Sequence, residues 1–121
     1  MRVLIVADDA RWLGQVRLRL RARRGWQVVS EVPDGLEAVQ KAQELRPDLI
    51  LIDAGLQDPN GIETARRIRR FVPESEILFL SQEFDSVIVE ETPSLGASGY
   101  VVKAITGNEL SGGRRTALTG S

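Results

Sequence analysis

One pattern constrains this chain more than any other: short apolar runs alternate with amphipathic stretches from end to end. Residues 3–7, Val-Leu-Ile-Val-Ala, are unbroken, and similar short runs recur at 26–29, 49–52, 77–80 and 100–102. Runs without polar alternation suit strands covered on both faces, as in parallel sheets, and their length favours strands over buried helices. Between them the period changes. Leu13, Val16 and Leu20 recur at helical spacing among arginines. Asp34-Gly35-Leu36-Glu37 opens a second helix, with Asp34 placed to cap it and Glu37 three residues on. Leu36, Val39, Ala42 and Leu45 then read as its inward stripe, and Pro47 stops it. Asn60-Gly61-Ile62-Glu63 opens a third helix in the same way, with Ile62, Ala65 and Ile68 facing inward and Pro73 after its end. A fourth stretch covers about 85–95, and a fifth begins near Asn108. Strand and helix alternate five times, which predicts an α/β sandwich around a parallel sheet, with right-handed crossovers.

Composition narrows the chemistry. There is no cysteine and no histidine, so disulfides, thiolate or imidazole metal sites and Ser-His-Asp triads are excluded. The formal net charge of −1 argues against nucleic-acid binding by bulk charge. The arginines at 11, 17, 19, 21, 23 and 24, and those at 66, 67, 69 and 70, therefore read as solvated faces balanced by acids elsewhere. Trp12 and Trp26 are expected to be partly buried. No apolar run approaches membrane-spanning length. The expectation is one soluble cytoplasmic domain over residues 1–121.

In a parallel sheet, ligands bind beyond the carboxyl ends of the strands. Asp8 and Asp9 follow the first strand, Asp53 ends the third, Ser81 the fourth, and Lys103 follows the fifth. Taken singly, each has an ordinary reading as a helix cap, a loop residue or a solvated lysine. Together they gather acids, a hydroxyl and an ammonium at one edge. Clustered carboxylates repel, and a hard divalent cation such as Mg²⁺ relieves that repulsion while keeping waters for a phosphoryl group to displace. A lysine and a hydroxyl opposite would hold the remaining oxygens, leaving a carboxylate to attack.

The residues that carry this pattern are 3–6 with the acids after them, Pro47-Asp48-Leu49-Ile50-Leu51-Ile52-Asp53, Asn60-Gly61-Ile62-Glu63, Leu80-Ser81, and Gly96-Ala97-Ser98-Gly99-Tyr100-Val101-Val102-Lys103. In order and spacing they resemble the receiver domain of bacterial two-component response regulators, over nearly the whole chain. The resemblance implies a flavodoxin-like (CheY-like) α/β fold: a doubly wound five-stranded parallel sheet in the order 2-1-3-4-5 with helices on both faces. It implies that Asp53 accepts a phosphoryl group from a histidine kinase, and that Mg²⁺ is held by Asp8, Asp9, Asp53 and the backbone carbonyl of Gly55. Lys103 would pair with the acyl phosphate, Ser81 would move to bond a phosphoryl oxygen, and Tyr100 would turn inward behind it. The stretch 25–31 and residues 96–103 look most like regulators that carry a C-terminal helix-turn-helix domain. The family then implies a DNA-binding output domain in a full-length protein, homodimerisation on phosphorylation, and no direct nucleic-acid or membrane contact by this chain. It implies no enzyme activity beyond phosphoryl transfer to its own aspartate and the loss of that group.

Several residues depart from the family pattern. Aligned without a gap, the first of two acidic positions falls on Ala7 and the second on Asp8, with Asp9 helping through a water. This predicts measurable Mg²⁺ binding, weaker than in a relative with both acids. Gln57 stands where proline is common, with Pro59 two residues on. Ala104 follows Lys103 where proline is common. Gln82 follows Ser81 where many relatives carry a small residue, and it is expected to slow loss of the phosphoryl group. Pro93 and the Gly112-Gly113 pair predict short or irregular fourth and fifth helices. Two other readings stand beside the phosphorylated switch: a phosphate-independent interaction module of the same fold, and a small phosphatase-like enzyme with Asp53 as nucleophile. The lack of an evident cap or substrate pocket argues against the last.

Overall fold

The computed structural model describes residues 1–53, 55–57, 59–81 and 99–102, with backbone alone for 10–12, 81 and 99–102. Its elements are β1 (Arg2–Val6), α1 (Ala10–Arg21), β2 (Gln27–Val32), α2 (Gly35–Leu45), β3 (Leu49–Asp53), α3 (Gly61–Phe71), β4 (Glu76–Ser81) and β5 (Gly99–Val102). All neighbouring strands run parallel in the order β2-β1-β3-β4-β5, the expected doubly wound arrangement. The fourth and fifth helical stretches, with Pro93, Gly112 and Gly113, lie outside the described residues. No helix among those described is long and apolar enough to cross a membrane.

Strand alternation divides the core in two. Leu4, Val6, Ile50, Ile52, Ile77 and Phe79 meet Ala38 and Ala42 of α2 and Ala65 and Ile68 of α3. Val3, Ile5, Leu49, Leu51, Leu78 and Leu80 turn to the other face, where α1 supplies Val16 and Leu20. Every apolar residue of the three central strands β1, β3 and β4 is buried, which explains why their sequences show no polar alternation. The edge strand β2 is only half-buried and runs further than its apolar residues, through Ser30 and Glu31 to Val32. Its pairing with β1 slips at Val29, since Val3 lies opposite Val28 but Leu4 opposite Ser30. Trp26 is partly buried just before it.

Both expected caps are present. Asp34 accepts from the Glu37 N–H and Asn60 from the Glu63 N–H, each at 2.8 Å. The inward stripe of α2 differs from the sequence expectation. Leu36 is 63% exposed, and the buried line runs through Gly35, Ala38 and Ala42. The cause is the close approach of α3: a Cβ at Gly35 would stand 2.1 Å from Thr64 Oγ1 and 2.8 Å from Pro59 Cγ. Only small residues fit that seam, so the helix is rotated and Leu36 is turned out.

Candidate functional site

The site lies at the carboxyl ends of β1 and β3. Asp53 is the last residue of β3 and pairs with Leu80 of β4. It is 4% exposed, one of three buried polar side chains among the described residues. The preceding pair between β1 and β3 is Val6 with Ile52, so Ala7 is level with Asp53. Ala7 extends the β1–β2 ladder through its N–H to the Val32 carbonyl at 3.0 Å, and its side chain is fully buried on the α1 face. The β1 position beside Asp53 therefore holds a methyl group, not an acid. Asp8 follows, exposed, and half-buried Asp9 opens α1, its carbonyl accepting from the Leu13 N–H at 2.9 Å.

The loop after Asp53 folds back on it. The Gly55 N–H donates to Asp53 Oδ1 at 2.8 Å, and the Leu56 N–H donates to the Asp53 carbonyl at 3.1 Å. The first bond is the turn that an aspartate forms with a backbone amide two residues on. Leu56 is buried in the α2–α3 core and anchors this turn, while Gly55 and Gln57 are exposed. Sequence reasoning named Gly55 for its carbonyl and missed its N–H; Asp-x-Gly at a strand end is the pattern that signals it.

Among the described residues no three acidic side chains gather into a ready metal-binding group. The donors that are present all carry oxygen: the Asp53 and Asp8 carboxylates and the Gly55 carbonyl. Such a set fits Mg²⁺, which takes one or two carboxylates and retains several waters, and does not fit an ion that demands a closed protein cage. Ser81 ends β4 opposite Val102 of β5, and Tyr100 lies opposite Phe79. Backbone register therefore brings the ends of β3, β4 and β5 to one edge, with Lys103 and Gln82 just beyond the described residues.

Comparison with known proteins bears on the whole arrangement. Residues 3–112 match the family model described as the response regulator receiver domain. The chain is 33% identical to the chemotaxis protein CheY of Thermotoga maritima over 102 residues, 84% of each protein. It is 32% identical over 108 residues to the transcriptional regulatory protein LnrK of Bacillus subtilis, covering 88% of this chain but 49% of that one. The chain thus spans about half the length of this regulator. Among solved structures, a LuxR-family two-component response regulator from Aurantimonas superposes with a TM-score of 0.85 at 34% identity, covering 98% of this chain and 85% of that one. The parallel sheet in the order β2-β1-β3-β4-β5, the aspartate that ends its central strand and a family match over residues 3–112 agree: this chain belongs to the response regulator receiver family.

Proposed function

We propose that the chain is a phosphorylation switch in which Asp53 takes a phosphoryl group from a histidine kinase. One observation carries this reading: a carboxylate buried at the end of the central strand, with one oxygen already held by the Gly55 N–H. Burial strips water from the nucleophile, and the turn fixes its plane, so little ordering is left to the moment of reaction. In the transfer a carboxylate oxygen attacks phosphorus, the bond to the histidine nitrogen breaks, and that nitrogen leaves with the electron pair. Asp8, Asp53 and the Gly55 carbonyl would hold Mg²⁺, with Asp9 assisting through a water. When bound, the ion neutralises charge on the transferring oxygens. Lys103 supplies a second positive charge for those oxygens, Ser81 a hydroxyl, and Tyr100 the ring that reports the new state to an output surface. A DNA-binding output domain fits the kinship with LuxR-type regulators, and phosphorylation-dependent pairing of two receivers is part of the same proposal.

Ala7 supports a second reading, since a buried methyl stands beside Asp53 where a further acid would help hold the ion. In that case the chain acts as an interaction module without phosphate. Beryllium trifluoride, an acyl-phosphate mimic, separates the two. The switch requires a Mg²⁺-dependent change in the amide NMR spectrum on its addition, absent in Asp53→Asn. An unchanged spectrum at millimolar Mg²⁺ would leave the phosphate-independent module.

A further inference from the structure

The arginines of α1 and α3 read alike in the sequence, but the fold places them in different surroundings. Those of α3 are matched by acids close by. Arg66 and Arg67 both reach Glu63, at 3.7 and 3.2 Å, and Arg69 lies within electrostatic reach of Glu74. In contrast, α1 carries no acid, and residues 17–24 hold five arginines in the run Arg-Leu-Arg-Leu-Arg-Ala-Arg-Arg. Arg17 is bound to Glu31 of β2, which also feels the charge of Arg21. Arg23 stacks over Trp26, 5.1 Å from the ring centroid. Arg19, Arg21 and Arg24 are exposed, and none forms an ion pair among the described residues. A formal charge of −1 over the whole chain therefore conceals a local excess of positive charge where α1 ends and the chain turns toward β2.

We propose that the carboxyl-terminal part of α1 is a docking surface for the phosphate backbone of duplex DNA, with Arg19, Arg21 and Arg24 as its contacts. Charge density selects this partner. Residues 17–24 span about 10 Å at the rise of a helix. Duplex DNA carries about six phosphates over that length. A partner helix with an acid at every fourth residue offers about two. Guanidinium groups also meet phosphate through paired N–H donors, which suits an arginine cluster better than a lysine one. Leu18, 68% exposed among these arginines, gains nothing from a phosphate backbone, so it separates this occupant from a protein surface. Such a contact carries no sequence information; it fixes the position of the receiver on DNA that other parts of a regulator read. The inference does not depend on Asp53. It revises the expectation drawn from net charge, because phosphate binding follows the local field rather than the sum.

The test is a fluorescence-anisotropy titration of this chain onto a labelled DNA duplex of mixed sequence. Three phosphate contacts should make the affinity fall about 40-fold between 50 and 200 mM NaCl. Changing Arg19, Arg21 and Arg24 together to Gln should weaken binding by about tenfold or more at the lower salt and remove most of that salt dependence. Changing Arg66, Arg67 and Arg70 together to Gln removes the same charge from α3 and should leave the affinity within about twofold. Leu18→Gln should leave it unchanged. The amide NMR spectrum of the natural chain maps the contact without any substitution: duplex should shift residues 17–25 and leave 61–71 in place. Lack of binding at the lower salt, or equal losses in the α1 and α3 variants, would overturn the inference. Leu18→Gln as damaging as the α1 variant, or displacement of the duplex by polyglutamate at equal charge, would assign an acidic protein surface instead and overturn it as well.

Discussion

The two ends of the sheet are built on opposite plans. At the amino ends of the strands, polar groups satisfy one another. The Arg2 N–H meets Asp48 Oδ2 at 2.7 Å, and its guanidinium reaches the last carbonyls of α2 at Leu45 and Arg46. Ser75 Oγ donates to the Pro47 carbonyl at 2.6 Å, and the Asp48 and Glu76 amides bond to the chain beside them. Arg46 pairs with Glu74 across the surface. At the carboxyl ends, Asp8 and Asp9 follow β1, Asp53 ends β3, and Ala7 withholds a further donor. The base is knit by hydrogen bonds between neighbouring chain segments, whereas the rim carries the acids to which the proposed chemistry is assigned.

The sharpest way to break this contrast is at Asp53. Asp53→Asn should abolish phosphoryl uptake from acetyl phosphate, read as the loss of the 80 Da (PO₃H, about) mass increment. It should leave the thermal midpoint level, because an amide of the same shape keeps an acceptor for the Gly55 N–H. A lower midpoint would mean that the carboxylate is a structural residue and the rim no different from the base. Next in size is Gly35→Ala. Its Cβ would meet Thr64 Oγ1 and Pro59 Cγ well inside contact distance, so overpacking should cost about 1–3 kcal/mol in urea unfolding. Thr64→Ala added to it should recover part of that loss, because the two sites share one contact.

Much of this plan was legible in the residues. The unbroken runs located the central strands because burial on both faces leaves no room for polar alternation. Asp34 and Asn60 marked helix starts because a cap needs only local chain geometry. What failed depended on contacts between elements. Leu36 reads as core by its spacing, yet α3 comes so close that only Gly35, Ala38 and Ala42 fit the seam. β2 reads as ending with its apolar residues, yet an edge strand is half-solvated and continues through Ser30 and Glu31. The site was legible as a list of strand ends, because topology alone gathers those. Its hydrogen bonding was not, since whether Gly55 turns its amide toward Asp53 depends on Leu56 being anchored in the core.

A smaller effect is expected at the base. Ser75→Ala leaves the Pro47 carbonyl without its buried donor, and it should cost about 1–2 kcal/mol. Phosphoryl uptake and the acyl-phosphate lifetime should not change, since the residue sits at the end of the sheet away from Asp53. A change in lifetime would show that the two ends are coupled through the strands.

The smallest effects concern the ion pairs and appear as pH dependence. The Arg17 guanidinium, hydrogen-bonded to Glu31 at 2.5 and 2.6 Å, holds the Glu31 carboxyl below its ordinary value of 4.5. The hydrogen bond from Arg46 lowers Glu74 in the same sense. A carboxyl lowered in the folded state binds fewer protons than in the unfolded chain. Each pair thus contributes stability that is fully present above the ordinary value and is lost as pH falls through the lowered one. Glu31 is 24% exposed and bound through two nitrogens of Arg17, whereas Glu74 is 55% exposed and bound through one nitrogen of Arg46 and its own backbone N–H. Solvent and salt screen the second more completely. Glu31→Gln should therefore flatten the acid limb of a stability–pH profile below pH 4.5 more than Glu74→Gln does, and 1 M NaCl should erase the Glu74 effect first. Equal flattening would indicate that exposure does not rank these pairs. The surface bond at the base would then matter as much as the half-buried one that ties α1 to the sheet edge.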